Sequence, residues 1–421
     1  MADREAYRRR CRAALMALTA ILLAACSSGT GSSGSSNAVV NIGVPGAFTG
    51  QFSLYGEPFF EGVQTAADLI NKSGGILGHQ VNVIPVDTAG DPVDTVPAIR
   101  QMLAADNISA SIGLAGEDFQ DAIPVLNQSH MVSFIHVGSP AVDKLTLPYV
   151  FNTSPTDSLL GSAMAFYASV KGYTNLALVF DASTTSQSLV PGILKAAKVL
   201  NLNIVANEAL PAGAASYEAA IQQIVNAKPD VVLLQLQPNA AGTFFHEFTA
   251  LGGANLPVIA SDLSLETSWF NAVGAPEVAK NVLSVTSSTQ VSGPGYQTFL
   301  QAYQARYKRP PQYLSLPGYD GMMAAALAMV DAKSTDPSVY YKSVLDVTTP
   351  TTDATVVTNF ADGAAALAQG KKIKYLGIAT PMTYNQYHQL TGNFEVDKQQ
   401  PSLTPVKIAD IAGSDLVKLN Q

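Results

Sequence analysis

Five histidines, at positions 79, 130, 136, 246 and 388, are the side chains of this chain best suited to proton transfer or metal ligation near neutral pH. Their spacing fits no metal site. His246-Glu247 falls inside a helical stretch and reads as an exposed pair. The chain has no G-x-S-x-G elbow, no H-E-x-x-H and no phosphate loop ending in Gly-Lys-Ser/Thr. An amide hydrolase would need a nucleophile–base pair, and none is legible; turnover of a bound amide would reveal one. The expectation is a non-enzyme with no cofactor and no metal. Acids and hydroxyls at the ends of apolar runs remain, and these are groups that bind without reacting.

The two cysteines are Cys11 and Cys26. Arg8, Arg9, Arg10 and Arg12 precede an uncharged run from Ala13 to Ala25. That run is too short to span a bilayer but suits the apolar core of a secretory signal. Leu23-Ala24-Ala25-Cys26 resembles the lipobox of bacterial lipoproteins, in which the cysteine is acylated and becomes the first mature residue. Residues 1–25 are therefore expected to be a signal peptide. Residues 26–37, rich in Ser and Gly, are expected to be a flexible tether. Cleavage would remove five arginines and two acids, leaving 19 basic against 30 acidic residues, a net charge of −11. That argues against nucleic acid, whose phosphates demand clustered Lys and Arg. With Cys11 removed and Cys26 acylated, the folded part has no disulfide and no cysteine–zinc site.

The elements that must position any site alternate regularly. Strands are predicted at Val39–Val44, Val81–Val86, Ile108–Gly113 and Val132–His136. Helices are predicted between them at Glu57–Lys72, Asp94–Ala105 and Phe119–Gln128. Gly56 and Pro58 suit the first helix's start, and Gly74-Gly75 its end. The pattern restarts with a helix over Asp157–Lys171. Strands follow at Leu176–Phe180, Asn203–Asn207, Val231–Gln235 and Val258–Ser261. Such repeats mean α/β architecture, a parallel sheet covered on both faces, here twice. Ligands of doubly wound folds sit at the carboxyl ends of the strands.

The stretch GVPGAFTGQFSLYGEPFFEG, followed in order by GGILG, AGDP, YVFNTSPTDS, PVIASD and PGYDGMMAAALAM, resembles type I periplasmic binding proteins of the leucine/isoleucine/valine-binding family. The ordered set carries the resemblance over residues 39–330. It implies two doubly wound lobes joined by a three-stranded hinge. Lobe 1 would comprise residues 38–155 and 287–365, and lobe 2 residues 156–286 and 366–421. It further implies capture of a small polar solute, an amino acid or related amide, in the interlobe cleft and delivery to an ABC permease. The expected protein is a monomer, lipid-anchored through Cys26 on the outer face of the cytoplasmic membrane. A ligand sensor on the same scaffold is the alternative.

The resemblance also points to residues. The loop that holds a ligand carboxylate in the family matches GLAGEDFQD, where Gly116 and Glu117 fall. The family's serine is missing there. Glu117 and Asp118 either cap a helix start or face the cleft and repel a carboxylate. The second loop matches FIHVGSPAVDKL. In it Ser139 stands for a threonine hydroxyl and Gly138 for a backbone donor. His136 is either a hydrogen-bonded strand-end residue or a ligand contact. Tyr55 matches a cleft-wall aromatic and could equally cap the first helix. In DASTTS the family's tyrosine is absent, leaving Ser183 and Thr184 as hydroxyls. Asp262, ending PVIASD, matches the acid that pairs with a ligand ammonium; a lone carboxylate in a closed cleft needs such a partner. Trp269 belongs to the core or the cleft rim, and Asp320 to a structural helix start.

Overall fold

The computed structural model describes residues 39–419, apart from 50–52, 106, 116–118, 289–292, 351 and 403. The expected signal peptide and the tether with Cys26 lie outside the described residues. Val39–Gln421 forms one compact unit.

Five parallel strands make the first sheet: β1 Val40–Gly46, β2 Val81–Asp87, β3 Ile108–Ala115, β4 Ser133–His136 and β5 Val150–Asn152, in the order β2-β1-β3-β4-β5. Alternate residues go to opposite faces, except that irregularities near both ends of β3 turn Ile108 and Leu114 away from the face of Ala110 and Ile112. Val40, Ile42, Val44, Ala110 and Ile112 pack against helix α1 (Ser53–Lys72) and the helix Ser315–Ala332. Ile108, Leu114 and Ile135 pack on the other side against α2 (Pro92–Ala105) and α3 (Phe119–Gln128). α1 begins one turn before the predicted Glu57, so Pro58 lies inside it. Proline forgoes one main-chain bond there, which the first turns of a helix tolerate better than its middle. Gly74 and Gly75, with φ of 101° and 80°, end the run from α1 as predicted.

The second sheet has seven strands. β6 Asn175–Asp181, β7 Asn203–Leu210, β8 Val231–Gln235, β9 Val258–Ser261 and β10 Val282–Ser287 are parallel. β8 shows why a parallel strand reads as a continuous apolar run. Val231 and Leu233 face α4 (Asp157–Val170) and the helix Val190–Leu200, while Val232 and Leu234 face the helices on the other side. A parallel pair, β11 Thr355–Val357 and β12 Ile373–Tyr375, forms a small separate sheet. β13 Phe394–Lys398 extends the second sheet antiparallel to β10, and β14 Val406–Ile411 pairs antiparallel with β13 at its edge.

The chain passes between the sheets three times. It leaves the first after Asn152, returns after Ser287, and leaves again between Leu390 and Phe394. The last passage lies well beyond the one expected at 365/366. Strand β10 belongs wholly to the second sheet. Residues Tyr375, Ile378, Ala379, Met382, Tyr384 and Leu390 are buried with β1 and α1 in the first lobe's core. Their loop is tied down by Asp320, fully buried, whose carboxylate accepts from the Tyr375 hydroxyl (2.7 Å) and from the main-chain N–H of Ile378 (2.9 Å) and Ala379 (2.8 Å).

Asn152 holds the junction between the lobes. Its side-chain amide donates to Val137 O (2.7 Å) and Gln389 Oε1 (2.9 Å), and its Oδ1 accepts from Val137 N (3.1 Å). The main chain adds Asp157 N to Gly138 O (2.7 Å) and Ser288 N to Asn393 O (2.8 Å).

Candidate functional site

In both lobes the carboxyl ends of the strands carry the polar residues. Asp87, ending β2, accepts from the N–H of Phe48 (3.0 Å), Thr49 (3.2 Å) and Ala89 (2.9 Å) and from the Thr49 hydroxyl (2.7 Å). It thereby orders the loop after β1. Gly116 and Glu117 lie outside the described residues, and so does the side chain of Tyr55, whose backbone belongs to α1.

His136 ends β4. Its Nδ1 lies 3.2 Å from the Thr153 hydroxyl, and its ring sits 6.2 Å from Phe59 and 6.3 Å from Tyr313. Burial pushes the imidazole down to about 4, so the ring is neutral at pH 7. Two residues on, Gly138 supplies its carbonyl to Asp157 N–H. The Ser139 hydroxyl accepts from Ala141 N (3.3 Å) and caps the turn Pro140–Val142. Across in lobe 2 the Ser183 hydroxyl is similarly occupied: it donates to Asp181 and accepts from Ser186 N (3.2 Å), opening the short helix Thr184–Gln187. These two hydroxyls shape their loops first.

Asp262 follows β9 and begins the turn Asp262–Leu265. It is exposed, yet its carboxyl is pushed up to about 6, by desolvation first and then by Asp157 and Glu266. Tyr313 behaves alike. The residue is 52% exposed, and its hydroxyl is pushed up to about 12 by desolvation and by Asp262. Tyr313 sits between two helices that pack on α1 of lobe 1, whereas Asp262 ends a strand of lobe 2. The charge of one lobe is therefore felt at the other.

The structure thus sets His136 against Phe59 and Tyr313 and Gly138 against Asp157, and the charge of Asp262 is coupled to Asp157 and Tyr313; of these, sequence reasoning passed over Phe59, Asp157 and Tyr313. Asp157 was visible only as a helix start. Its carboxyl is raised by desolvation and by Asp143, against the pull of its hydrogen bond from Ser188. Tyr313 stands in a proline-flanked loop with no periodicity to mark it. Trp269 is core: 1% exposed, edge-on to Phe245, with its indole N–H donating to Leu236 O (2.9 Å). Among the described residues no group of three His, Cys, Asp or Glu could hold a metal ion, and no helix is long and apolar enough to cross a membrane.

Comparison with known proteins agrees with the fold. An amino acid binding protein of Pseudomonas aeruginosa is 25% identical over 322 residues, covering 76% of this chain and 85% of its own. A Leu/Ile/Val-binding protein of Rhizobium johnstonii is 26% identical over 276 residues, covering 64% and 73%. Among solved structures, an ABC transporter substrate-binding protein from Sphaerobacter thermophilus superposes with a TM-score of 0.71 at 19% identity, over 89% of this chain and 98% of its own. The family model for periplasmic binding proteins matches residues 39–358. This chain belongs to the periplasmic binding protein family.

Proposed function

We propose that this protein is the solute-capturing component of an ABC importer, and that it takes up a small amine-bearing solute, an amino acid or related amide, between its lobes. The observation that carries the reading is that the charge of Asp262 on lobe 2 acts on Tyr313 of lobe 1, whose ring meets His136. A carboxylate there gives an ammonium a charge-assisted partner. The neutral imidazole and the phenol give a polar, flat-faced wall on the other side. Gly138 lets the Asp157 carboxylate approach the loop after β4 closely. Solute that touches both lobes binds the closed arrangement better and shifts the population toward it. The names of the relatives, amino acid and Leu/Ile/Val-binding proteins, support the solute class.

In the same reading the protein works as a monomer on the outer face of the cytoplasmic membrane, held by acyl chains on Cys26, and presents the closed form to its permease. The lipobox-like Leu23–Cys26 supports the anchor. Two or three chains on one cysteine would hold where one would hold only marginally. Cys26→Ser should release the protein from membranes without changing solute affinity.

The test is a thermal-shift screen of amino acids, amides and amines. A true ligand at about 100 Kd adds about 2.7 kcal/mol of stability. Small-angle scattering with that ligand should show a smaller radius of gyration. A radius unchanged at saturation would contradict closure, and a screen in which no amine-bearing compound shifts the transition would contradict the solute class.

A further inference from the structure

Helix α1 reaches His136 by two routes. Phe59 meets the imidazole directly, with 6.2 Å between ring centres. Glu61, two residues on, is 5% exposed, and its carboxylate holds two donors. The buried Tyr303, on the helix Pro294–Tyr307, donates its hydroxyl to Oε2. The Arg309 guanidinium donates to the same oxygen at 2.7 Å and lies over the Tyr303 ring, 5.9 Å from its centre.

Arg309 stands where the chain leaves that helix. Lys308, with φ of 58°, closes the last turn, and Arg309 comes next. Pro310 and Pro311 follow, and their rings restrict the backbone that leads to Tyr313. Beyond them Gln312 O accepts from the Ser315 N–H (3.0 Å) and hydroxyl (2.6 Å), and Tyr313 O accepts from Leu316 N (3.0 Å). α1 holds this end as well, because a Cβ on Gly62 would run into Ser315 O. The segment between is thus fixed at both ends by α1. Its Tyr313 ring stands 6.3 Å from His136, at the carboxyl end of β4. Among the described residues no other aromatic side chain is exposed. A buried ion pair returns little net stability, since desolvation offsets the attraction. What this pair supplies is direction. Arg306 and Asp68, 2.7 Å apart, join the same two helices from inside the helix and not from the loop.

We propose that Arg309 is a positioning residue for solute capture: anchored on Glu61, it sets the Tyr313 ring against His136 and so governs affinity without touching solute. The proposal rests on the reading that solute binds between the lobes.

Two measurements on the purified protein test it. Without solute, hydrogen exchange at Ser315 and Leu316 should run about ten-fold faster or more in Arg309→Ala than in wild type. It should be unchanged in Arg306→Ala, which removes the other ion pair. Affinity is then measured for whichever of L-leucine, L-glutamine and L-leucinamide shifts wild-type unfolding. Arg309→Ala should weaken it about five-fold or more, and Arg309→Lys, which keeps a charged donor for Glu61, should recover most of that loss. In a Tyr313→Ala background the Arg309→Ala change should alter affinity by less than about two-fold. Losses that add in the double variant would overturn the proposal, as would faster exchange with affinity intact, or no change in either. If none of the three probes binds wild type, that counts against the amine-solute reading, and exchange alone decides whether Arg309 places Tyr313. Should Arg309→Ala fail to fold, Glu61→Gln, which keeps an acceptor for Tyr303 and loses the charge, serves in its place.

Discussion

Asp320 and Asp262 are both pushed up to about 6 by desolvation, in opposite circumstances. Asp320 is completely buried and is met by a tyrosine hydroxyl and a row of main-chain N–H groups. Asp262 is exposed, and its strongest charged neighbours are other acids. The same displacement therefore marks a finished structural joint in one lobe and, in the proposed reading, a solute-binding corner in the other. What separates them is the partner set. Asp320 has received from the protein what it needs, and in that reading Asp262 takes it from the solute. A raised carboxyl is a pointer to function only after its partners have been counted.

The largest effect that would sharpen this contrast is on stability. Asp320→Ala leaves three buried donors without an acceptor. With an unsatisfied buried group costing about 1–3 kcal/mol, the loss should reach about 3 kcal/mol or more. Asp262→Ala should stay within about 0.5 kcal/mol, as for an exposed position. Urea denaturation of both variants checks this, and equal losses would dissolve the distinction. Next is affinity. Removing the charge of Asp262 by Asp262→Asn should weaken an amine ligand by about 1.5–3 kcal/mol, at least ten-fold; calorimetric titration measures it.

A pH series follows. The folded-state pKa of Asp262 lies above its unfolded value, so the folded protein holds the extra proton between the two. Its contribution to stability is present at low pH and lost as pH rises through about 6. The effect on the free protein should be small, because water still reaches the side chain. Amine affinity runs the other way, since it needs the carboxylate. It should fall as pH drops from 7 to 5, and that fall should be blunted in Asp262→Asn. The smallest effect concerns Ser139→Ala. With its hydroxyl capping a turn, the substitution should cost about 1 kcal/mol of stability and leave ligand affinity nearly unchanged. A ten-fold loss of affinity would move Ser139 into direct contact with solute.

Much of the fold was legible because burial on both faces writes a plain signal. β8 and β9, Val231–Gln235 and Val258–Ser261, and α3, Phe119–Gln128, lie where their apolar patterns place them. β14 was not legible. Val406, Lys407 and Ile408 are exposed on an edge strand, so no alternation or apolar run marks it. The passage near Leu390 was hidden for a related reason. The loop that precedes it is held by Asp320 and single buried side chains, and these leave no period. The site divides in the same way. His136, Gly138 and Asp262 end strands and could be matched to a family pattern. Asp157 and Tyr313 gain their meaning only from what faces them, Gly138 and Ser188 for the one and His136 and Asp262 for the other. Such pairings exist only once the chain is folded.

The most direct measurement is titration of one amine-bearing ligand into wild-type protein and Asp262→Asn at pH 7.5, with the unfolding midpoint of each recorded without ligand. If Asp262 is the corner that the solute completes, affinity falls at least ten-fold while the midpoint stays where it was. Equal affinity in the two proteins would contradict that assignment.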